Sequence, residues 1–428
     1  MKTIHIIYVS EDGLISLRCG VGTIALHFIS AFPAIAKKFK AEGIRLKLSA
    51  ITLTSNESSV GVDRKIEKKT KETCNKFNGD LYFIKSKRKP FDEYFNFRLW
   101  EVYTSEINSI ITKMISSNDY KAIVIANDTI FAKVTVKERG VINVWIPHSL
   151  AEAHSQSYVD NEKRVAWERE AVNYKNSDKN SYIGYISPYA KKLLIKLGIS
   201  NSKLIPFYNG FHLSLLKKLR KPQSLIKGMI ENRGIPLDKK IIFSFGRADE
   251  YKGLDIALRV MVKIVRKYKD YHGVLIASAF SKEEIVRRVQ DKLKRILEKN
   301  RKLPITLFLG YEFILPKYIL QYANTKFLLH LPTKDFCPLV PFEAAIIGHK
   351  KLNIINSDIE CFEEMIEDNR NGFLCRPEVG SAVRKVEEII SKIPEEKLNE
   401  IILKEKRQTL TQRDLAANYF TPLYFLSE

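Results

Sequence analysis

The 428-residue sequence predicts an α/β protein with two parallel sheets. Short, continuously apolar runs alternate with longer segments of helical periodicity throughout the chain. Such runs are typical of strands that helices cover on both faces, as in parallel sheets. The chain is too long for one ordinary core, and a basic segment containing glycine and proline separates the runs into two series. The sequence therefore predicts two domains, residues 1–212 and 213–411.

The first series supplies the strands of the predicted N-terminal domain. Its apolar runs read IHIIYVS, RLKLSAITL, DLYFIK, AIVIAND and VINVWIPH, and a helix is expected in TIALHFISAFPAIAKKFKAEG. The opening MKTIHIIYVS has one lysine and is followed by no small-residue cleavage site, which favours a buried strand over a signal peptide. We count no apolar run of the roughly 20 residues that a membrane span needs. We therefore expect a cytoplasmic protein.

The second series begins after IPFYNGFHLSLLKKLRKPQS, which carries Gly210, Pro222 and a cluster of basic residues. Its predicted strands are IIFSFGR, HGVLIASAF, ITLFLG, KFLLHLP and KLNIINSD, and one predicted helix is LDIALRVMVKIVRKYKD. The final segment, RDLAANYFTPLYFLSE, is aromatic and amphipathic. Residues 412–428 are therefore predicted to form a helix that crosses back to the first domain.

The composition restricts the classes of partner. Lys and Arg total 71 against 49 Asp and Glu, which gives a formal net charge of +22. This charge indicates either a polyanionic partner, such as an anionic membrane surface or a nucleic acid, or a lysine-rich composition without a function. The five cysteines are scattered without a C-x-x-C pair, so neither a disulfide framework nor a zinc site is expected.

The stretch SFGRADEYKGLDIALRV places two cations where a ligand can bind. A strand is predicted to end at Phe245, a glycine turn follows, and a helix begins near Leu254. Ligands of open parallel sheets bind beyond the carboxyl ends of the strands, near helix N-termini. Arg247 and Lys252 lie in this predicted loop, and a guanidinium beside an ammonium suits a departing diphosphate. The alternative is that both are surface cations of an ordinary loop.

Two acids, Asp335 and Glu343, flank the start of another predicted helix. They lie in TKDFCPLVPFEAAIIGHKK, whose apolar residues from Cys337 to Phe342 are expected to begin the helix, with Pro341 in its first turn. The unpaired backbone N–H groups of a helix start are hydrogen-bond donors to ligands. One acid can then reach a sugar and the other a ribose. The alternative is an acid that caps the helix and a glutamate that is buried against a lysine.

With these motifs the chain resembles glycosyltransferase family 4, retaining nucleotide-sugar enzymes of the GT-B fold. The family's GR-x4-KG loop matches Gly246-Arg247 and Lys252-Gly253, and its E-x7-E motif matches Asp335 to Glu343 with an aspartate in first place. GYEFILPKYILQYANTKFLLHLPT and NSDIECFEEMIEDNRNGFLCRP resemble further family segments in the family's order. The likeness covers the second domain well and the first more loosely. FCPL lacks the glycine that is usual between the acids, which leaves the donor sugar open.

The resemblance implies two Rossmann-like domains that face each other across a cleft, and a role for each matched residue. Arg247 and Lys252 would hold the diphosphate beyond the Gly246 turn, Glu343 the ribose, and Asp335 the hexose hydroxyls. Further implied donor contacts are the backbone N–H groups of Phe336, Cys337, Pro338 and Leu339, the base contact of Tyr311, the G-x-G turn of Gly20 and Gly22, and the sugar contact of His148. For the last two features the alternatives are an ordinary turn and a structural histidine.

The implied reaction transfers a hexose-type sugar from a nucleotide diphosphate sugar, such as a UDP- or GDP-sugar, with retained anomeric configuration. Preorganised positive charge would stabilise the leaving diphosphate. No D-x-D stands at a convincing strand end, so we expect no metal and no cofactor. We expect the acceptor to be a polysaccharide, a lipid-linked sugar or a small molecule. An anionic membrane, through peripheral contact, is one of the two partners that the net charge indicates. The alternatives are a nucleic-acid acceptor and a non-catalytic protein that binds nucleotides or polyanions.

Overall fold

The computed structural model describes residues 2–17, 19–54, 63–85, 96–115, 121–153, 161–279, 283–310, 312, 314–363 and 365–428. The chain divides into two compact units. Unit 1 comprises Met1–Leu213 and Arg413–Glu428, and unit 2 comprises Ser214–Gln412. Both limits lie one residue from those that the sequence predicts. Each unit contains a parallel sheet with helices around it, which confirms the predicted α/β class.

Unit 1 contains a sheet of seven described strands in the order β3-β2-β1-β4-β5-β6-β7, with every adjacent pair parallel. The strands are β1 Lys2–Val9, β2 Ile44–Thr54, β3 Leu81–Lys85, β4 Lys121–Asn127, β5 Val141–Ile146, β6 Ser181–Tyr185 and β7 Leu204–Pro206. The first five correspond to the predicted apolar runs. The last two are additional and short.

Unit 2 contains a sheet of six described strands in the order β10-β9-β8-β11-β12-β13, again with parallel neighbours. The strands are β8 Lys240–Arg247, β9 Tyr271–Ser278, β10 Ile305–Leu309, β11 Thr325–His330, β12 Asn353–Ser357 and β13 Phe373–Cys375. The strands β8 and β11 are neighbours, so the segments that follow them leave the same edge of the sheet side by side.

The described helices cover the sheets and connect the strands. In chain order, α1 to α15 are Gly20–Ala41, Arg64–Lys76, Phe97–Ile115, Asn161–Ser177, Pro188–Leu197, Leu213–Lys218, Gln223–Glu231, Leu254–Lys267, Glu283–Glu298, Leu315–Gln321, Val340–Ile347, Glu360–Glu363, Val379–Ser391, Glu395–Gln412 and Leu415–Ser427.

The terminal helix α15 belongs to unit 1. The backbone N–H of Phe211 donates to Arg413 O at 2.7 Å, and that of Leu415 donates to Phe211 O at 3.2 Å. Aromatic contacts then fix the helix on α1, since Phe39 packs against the ring of Phe420 at a centroid distance of 5.2 Å. The aromatic pattern of the final segment therefore serves this packing.

Helix α1 corrects the expectation that no apolar stretch is long enough to span a membrane. Gly20–Ala41 is long and apolar enough by length and composition, and half of its most apolar stretch is buried inside unit 1. Buried residues such as Phe28 and Ile35 face the core. A core helix of a water-soluble domain has the same properties, so α1 is weak evidence for a membrane span.

Candidate functional site

Arg247 and Lys252 leave the carboxyl end of β8, although not in the predicted arrangement. Arg247 is the last residue of the strand, so the strand extends beyond Phe245 and only Lys252 lies in the connecting segment. A Cβ atom built on Gly246 would meet only Leu254 Cδ2, at 3.7 Å. The described protein atoms therefore leave space beside the Gly246 backbone.

Gly253 has a clear steric reason to be glycine. Its φ of +63° is in the left-handed region, and an added Cβ would lie 1.8 Å from the backbone oxygen of Leu331. The segment after β8 thus packs directly against the end of β11. Thr333 continues this contact, because its backbone N–H donates to Tyr251 O at 2.8 Å. The matched K-G dipeptide therefore fixes Lys252 beside the segment that carries Asp335.

Lys252 and Asp335 form a hydrogen-bonded ion pair. The distance from Lys252 Nζ to Asp335 Oδ2 is 2.7 Å, and the side chains are only 18% and 7% exposed. Burial alone would lower the pKa of Lys252, but the Asp335 carboxylate raises the pKa above its ordinary value. The ammonium group is therefore charged at neutral pH.

Arg247 lies beside residues that the sequence reasoning did not select. Its Nη2 atom is 3.1 Å from Asp249 Oδ2 and donates a hydrogen bond to the hydroxyl of Tyr251. The ring centroid of Tyr251 also lies 5.1 Å from Nζ of Lys252. Burial raises the pKa of Tyr251, so this hydroxyl is neutral at physiological pH. The consecutive polar residues Asp249, Glu250 and Tyr251 between the two matched cations are the sequence signal for this cluster.

The segment between the two acids differs from the prediction in its secondary structure. Helix α11 begins at Val340 rather than at Cys337, and its N-cap residue Leu339 makes no side-chain capping bond. Asp335 is therefore not a cap of α11. This excludes the first part of the alternative, in which the acid caps the helix. Its Oδ1 atom instead accepts the backbone N–H of Phe336 at 2.8 Å.

Two of the four predicted amide donors need correction. The N–H of Phe336 already bonds to the Asp335 carboxylate, and Pro338 has no backbone N–H at all. The described contacts leave the roles of Cys337 and Leu339 as predictions.

Glu343 agrees with the second part of the alternative, a glutamate buried against a lysine, because it pairs with a lysine. It lies in the first turn of α11, with its Oε1 atom 3.1 Å from Nζ of Lys317 near the start of α10. Both side chains are about 15% exposed. Lys317 was missed because it is 26 residues away in sequence and its only signal is its position in LPKYI. A ribose contact by Glu343 requires that these two groups share their hydrogen bonds with the ligand.

In unit 1, the G-x-G residues form the first turn of α1 rather than the predicted turn before the helix, and they pack against an acid. A Cβ on Gly22 would lie 2.1 Å from Asp12 Oδ2. That carboxylate accepts the backbone N–H of Cys19 at 3.0 Å and the hydroxyl of Ser16 at 2.6 Å. Gly20 is exposed and is the first residue of α1. The close approach that Gly22 permits is thus explained by Asp12, and contact with phosphates stays a prediction.

His148 lies two residues beyond β5 and is partly exposed. Its Nε2 atom is 2.6 Å from Asn127 Oδ1, at the end of the neighbouring strand β4. Burial of the ring lowers the pKa of His148 to about 4, against the opposing effect of Asp128. The imidazole is therefore neutral at pH 7, and it can bind a hydroxyl group without carrying charge.

A buried ion pair on α4 fixes the turn that follows His148. Arg164 Nε donates to Glu168 Oε1 at 2.9 Å, and both side chains are nearly inaccessible to solvent. Glu168 also accepts the backbone N–H of Ala151, while Arg164 Nη2 donates to Ser149 Oγ at 2.9 Å. The pair therefore fixes the backbone of residues 149–151 through these hydrogen bonds.

The structure thus brings part of the predicted site together. Arg247, Lys252 and Asp335 meet in unit 2, with Gly246 beside them and Glu343 on the following helix. His148, Gly20 and Gly22 are in unit 1, and the predicted base contact, Tyr311, lies outside the described residues. Among the described residues, no group of three or more His, Cys, Asp or Glu side chains is arranged to hold a metal ion.

Comparison with known proteins relates this chain to glycosyltransferases. Residues 227–408, all within unit 2, match the model of the family Glycosyl transferases group 1. The chain is 23% identical over 218 residues to an uncharacterized glycosyltransferase of Haemophilus influenzae. That alignment covers 50% of this chain and 56% of the relative, so the chain spans about half the length of the curated relative that it matches.

Solved structures share the fold of the whole chain. HepE (Alr3699) of Anabaena, solved in complex with UDP and glucose, has a TM-score of 0.68 at 16% identity, with 99% of each chain covered. Sucrose-phosphate synthase of Thermosynechococcus elongatus has a TM-score of 0.70 at 14% identity, covering 100% of this chain and 98% of that one. At these identities the likeness shows the fold alone. Residues 227–408 therefore match the Glycosyl transferases group 1 family, and the chain as a whole shares its fold with solved GT-B glycosyltransferases.

Proposed function

We propose that this chain is a retaining glycosyltransferase that takes a hexose-type sugar from a nucleotide diphosphate sugar. The observation that carries the proposal is the meeting of Arg247, Lys252 and Asp335 at the carboxyl ends of β8 and β11. Ligands of parallel sheets bind at this edge. Two cations and one carboxylate there match the charges of a diphosphate and the hydroxyls of a sugar.

Lys252 and Arg247 would stabilise the negative charge that develops on the leaving diphosphate. Both cations are already fixed by protein partners, Lys252 by Asp335 and Arg247 by Asp249. Such preorganised charge is worth most where water is excluded, and Lys252 is largely buried. Because the two cations supply the required positive charge, we propose that the reaction does not depend on a metal.

Asp335 would exchange part of its bond to Lys252 for hydrogen bonds from the sugar hydroxyls. Glu343, on the next helix, would bind the ribose, with Lys317 holding its carboxylate. A double displacement needs a second carboxylate at about 5 Å from the first, on the other side of the anomeric carbon. Since this assignment leaves Asp335 as the one acid at the sugar, we propose retention without a covalent sugar–enzyme intermediate.

UDP-glucose is the first donor to test, because HepE is described in complex with UDP-glucose. The acceptor is a polysaccharide, a lipid-linked sugar or a small molecule in our proposal. The cytoplasmic location and contact with an anionic membrane or a nucleic acid remain predictions. Binding that follows the anionic lipid content would favour the membrane, and a steep salt dependence of DNA binding would favour nucleic acid.

A thermal-shift screen of UDP-, GDP- and ADP-sugars, followed by assay of donor hydrolysis, tests the proposal. A donor at one hundred times its Kd should stabilise the protein by about 2.7 kcal/mol. The matched control is Lys292→Ala, since Lys292 pairs with Asp255 at 2.6 Å in the same unit and is well exposed. Lys252→Ala should reduce the shift at the same donor concentration, to about half for a tenfold loss of affinity, and Lys292→Ala should keep it. No shift and no hydrolysis with any donor would contradict the proposal.

A further inference from the structure

Three neighbouring strand ends of unit 1 carry a continuous hydrogen-bonded chain of polar side chains. Ser10 follows β1, Asn127 ends β4 and His148 follows β5, and these strands are consecutive in the sheet. Ser10 Oγ is 2.8 Å from the backbone oxygen of Asp12 and 3.3 Å from Asn127 Nδ2. Asn127 Oδ1 is 2.6 Å from His148 Nε2. Ser10 and Asn127 are fully buried.

The hydrogen bonds that connect Ser10, Asn127 and His148 allow one consistent assignment of the protons. A serine hydroxyl has a single proton, and the shorter bond, to the carbonyl of Asp12, takes it because a carbonyl can only accept. Ser10 Oγ must then accept from Asn127, so the amide directs its NH2 group to Ser10 and its oxygen to His148. The oxygen only accepts, and His148 Nε2 therefore carries the proton.

We propose that Ser10 and Asn127 are positioning residues that hold His148 in the Nε2–H tautomer, so that its Nδ1 atom accepts a hydrogen bond from a hydroxyl group of a sugar substrate. Within the described part of the chain, Nδ1 of His148 has no hydrogen-bond partner. The substrate assignment rests on the proposed function, whereas the tautomer assignment follows from the hydrogen bonds alone.

The backbone beside Asn127 is strained in a way that supports this role. Asp128 has φ 85° and ψ 164°, a region that is essentially restricted to glycine and costs an ordinary residue about 1–3 kcal/mol. Its N–H donates to Ile146 O at 2.9 Å, its carbonyl accepts Trp145 Nε1 at 3.1 Å, and its carboxylate accepts the N–H of Thr129 at 2.8 Å. Such strain persists only where the surroundings fix the conformation.

The chemistry of the site favours a hydroxyl over a phosphate as the group that meets Nδ1. A neutral imidazole nitrogen with a lone pair accepts a proton in a hydrogen bond, which a hydroxyl donates and an ionised phosphate oxygen does not. The low pKa of His148, caused by burial, keeps the ring neutral. The Arg164–Glu168 pair bonds to Ser149 and Ala151, and these bonds fix the backbone that follows His148.

Nitrogen chemical shifts of the histidine rings test the tautomer in the intact protein. In the wild type at pH 7, His148 should show a protonated Nε2 and an unprotonated Nδ1. Ser10→Ala removes the group that orients the amide, so a measurable Nδ1–H fraction should appear. The matched control is Ser49→Ala, since Ser49 Oγ is 2.8 Å from Nε2 of His5 in the same sheet. This control should change the His5 signals and leave those of His148 unchanged.

Kinetics then test the substrate assignment. Ser10→Ala should lower the transfer rate about tenfold, the effect of one misplaced hydrogen bond, while UDP affinity stays within twofold of the wild type. A wild-type ring with Nδ1–H, or with both nitrogens protonated, overturns the inference, and so does a Ser10→Ala variant with unchanged tautomer. The expected tautomers in a protein that binds no nucleotide sugar would support the positioning assignment and overturn the proposed function.

Discussion

Lys252 and Asp335 are 83 residues apart in sequence, yet their side chains meet at 2.7 Å beside the carboxyl ends of two neighbouring strands. Each belongs to a different sequence motif, GR-x4-KG or D-x7-E, so the pair joins the two motifs into one site. In the proposed function, a diphosphate and a sugar would each take one partner of this ion pair. The ion pair therefore fixes the two charges relative to each other.

Asp335→Asn should separate catalysis from nucleotide binding. The substitution removes the charge that holds Lys252 and that would bind the sugar hydroxyls, so we expect turnover to fall by about 10² or more. UDP affinity should change by less than threefold, because Lys252 remains available to the diphosphate. Parallel measurement of kcat and of UDP binding by calorimetry checks this. Equal losses in both would show that Asp335 does not act mainly on the sugar.

Glu343→Gln should mainly weaken the binding of the nucleotide. A lost charged hydrogen bond to ribose corresponds to about 1.5–3 kcal/mol, or roughly ten- to a hundredfold in UDP affinity. The control is Glu387→Gln, since Glu387 forms a comparable pair with Lys267 at 2.8 Å on an exposed helix surface. Unchanged UDP binding in Glu343→Gln would move the ribose contact to another residue.

Gly253→Ala should destabilise unit 2 and displace Lys252. The added Cβ would lie 1.8 Å from a backbone oxygen, at a residue with φ +63°, so we expect a loss of at least about 1–2 kcal/mol in unfolding free energy. Gly228→Ala is the opposite case, because Gly228 lies inside α7 with no atom within 4 Å of the new Cβ. That variant should gain about 0.5–1 kcal/mol. Urea unfolding of both variants measures the contrast.

Asp128→Gly should have a higher unfolding free energy than Asp128→Ala, the reverse of the usual order for glycine and alanine. Both lose the carboxylate that accepts the N–H of Thr129, but only glycine adopts φ 85° and ψ 164° without strain. The glycine variant should therefore be about 1–3 kcal/mol more stable than the alanine variant in denaturant unfolding. If alanine were the more stable of the two, the backbone would not be strained in solution.

The stability of the fold should decrease as the pH falls below neutrality. Burial lowers the pKa of His5 and His330 to about 3 and that of His272 and His148 to about 4, against about 6.5 in the unfolded chain. Between these values the unfolded state binds more protons than the folded state. The contribution is therefore fully present above pH 6.5 and is lost as the pH falls from 6.5 to about 3.

Thermal midpoints measured between pH 8 and pH 4 check the direction of this dependence. His5→Gln should reduce the slope between pH 6.5 and 4, since it removes one of the groups that take up a proton on unfolding. A variant with an unchanged slope would show that His5 is protonated in the folded protein.

Local sequence patterns predicted most of the sheets, and their failures have identifiable causes. Continuous apolar runs report burial on both faces, which is why the long strands were found and the short strands β6, β7 and β13 were not. The glycine predicts an end of β8 at Phe245, yet Gly246 continues the strand because a residue without a side chain still pairs through its backbone. Proline and apolar residues similarly placed the start of α11 three residues early.

The contacts between motifs depend on sheet order, which local patterns do not contain. The pairing of Lys317 with Glu343 joins two different helices, and the bond from Asn127 to His148 joins two adjacent strand ends. The reason for Gly22 was also non-local, since the neighbour that excludes a Cβ there is Asp12. Residue types indicated where ligands would bind, whereas the partners that orient those residues became visible only in the fold.

Calorimetric titration of UDP into the wild type, Lys252→Ala and Lys292→Ala tests the central claim most directly. The claim predicts that the wild type and Lys292→Ala bind UDP with the same affinity, and that Lys252→Ala loses at least about tenfold, the equivalent of 1.4 kcal/mol. Equal affinity in Lys252→Ala and the wild type would contradict it, because the ammonium paired with Asp335 would then not hold the diphosphate.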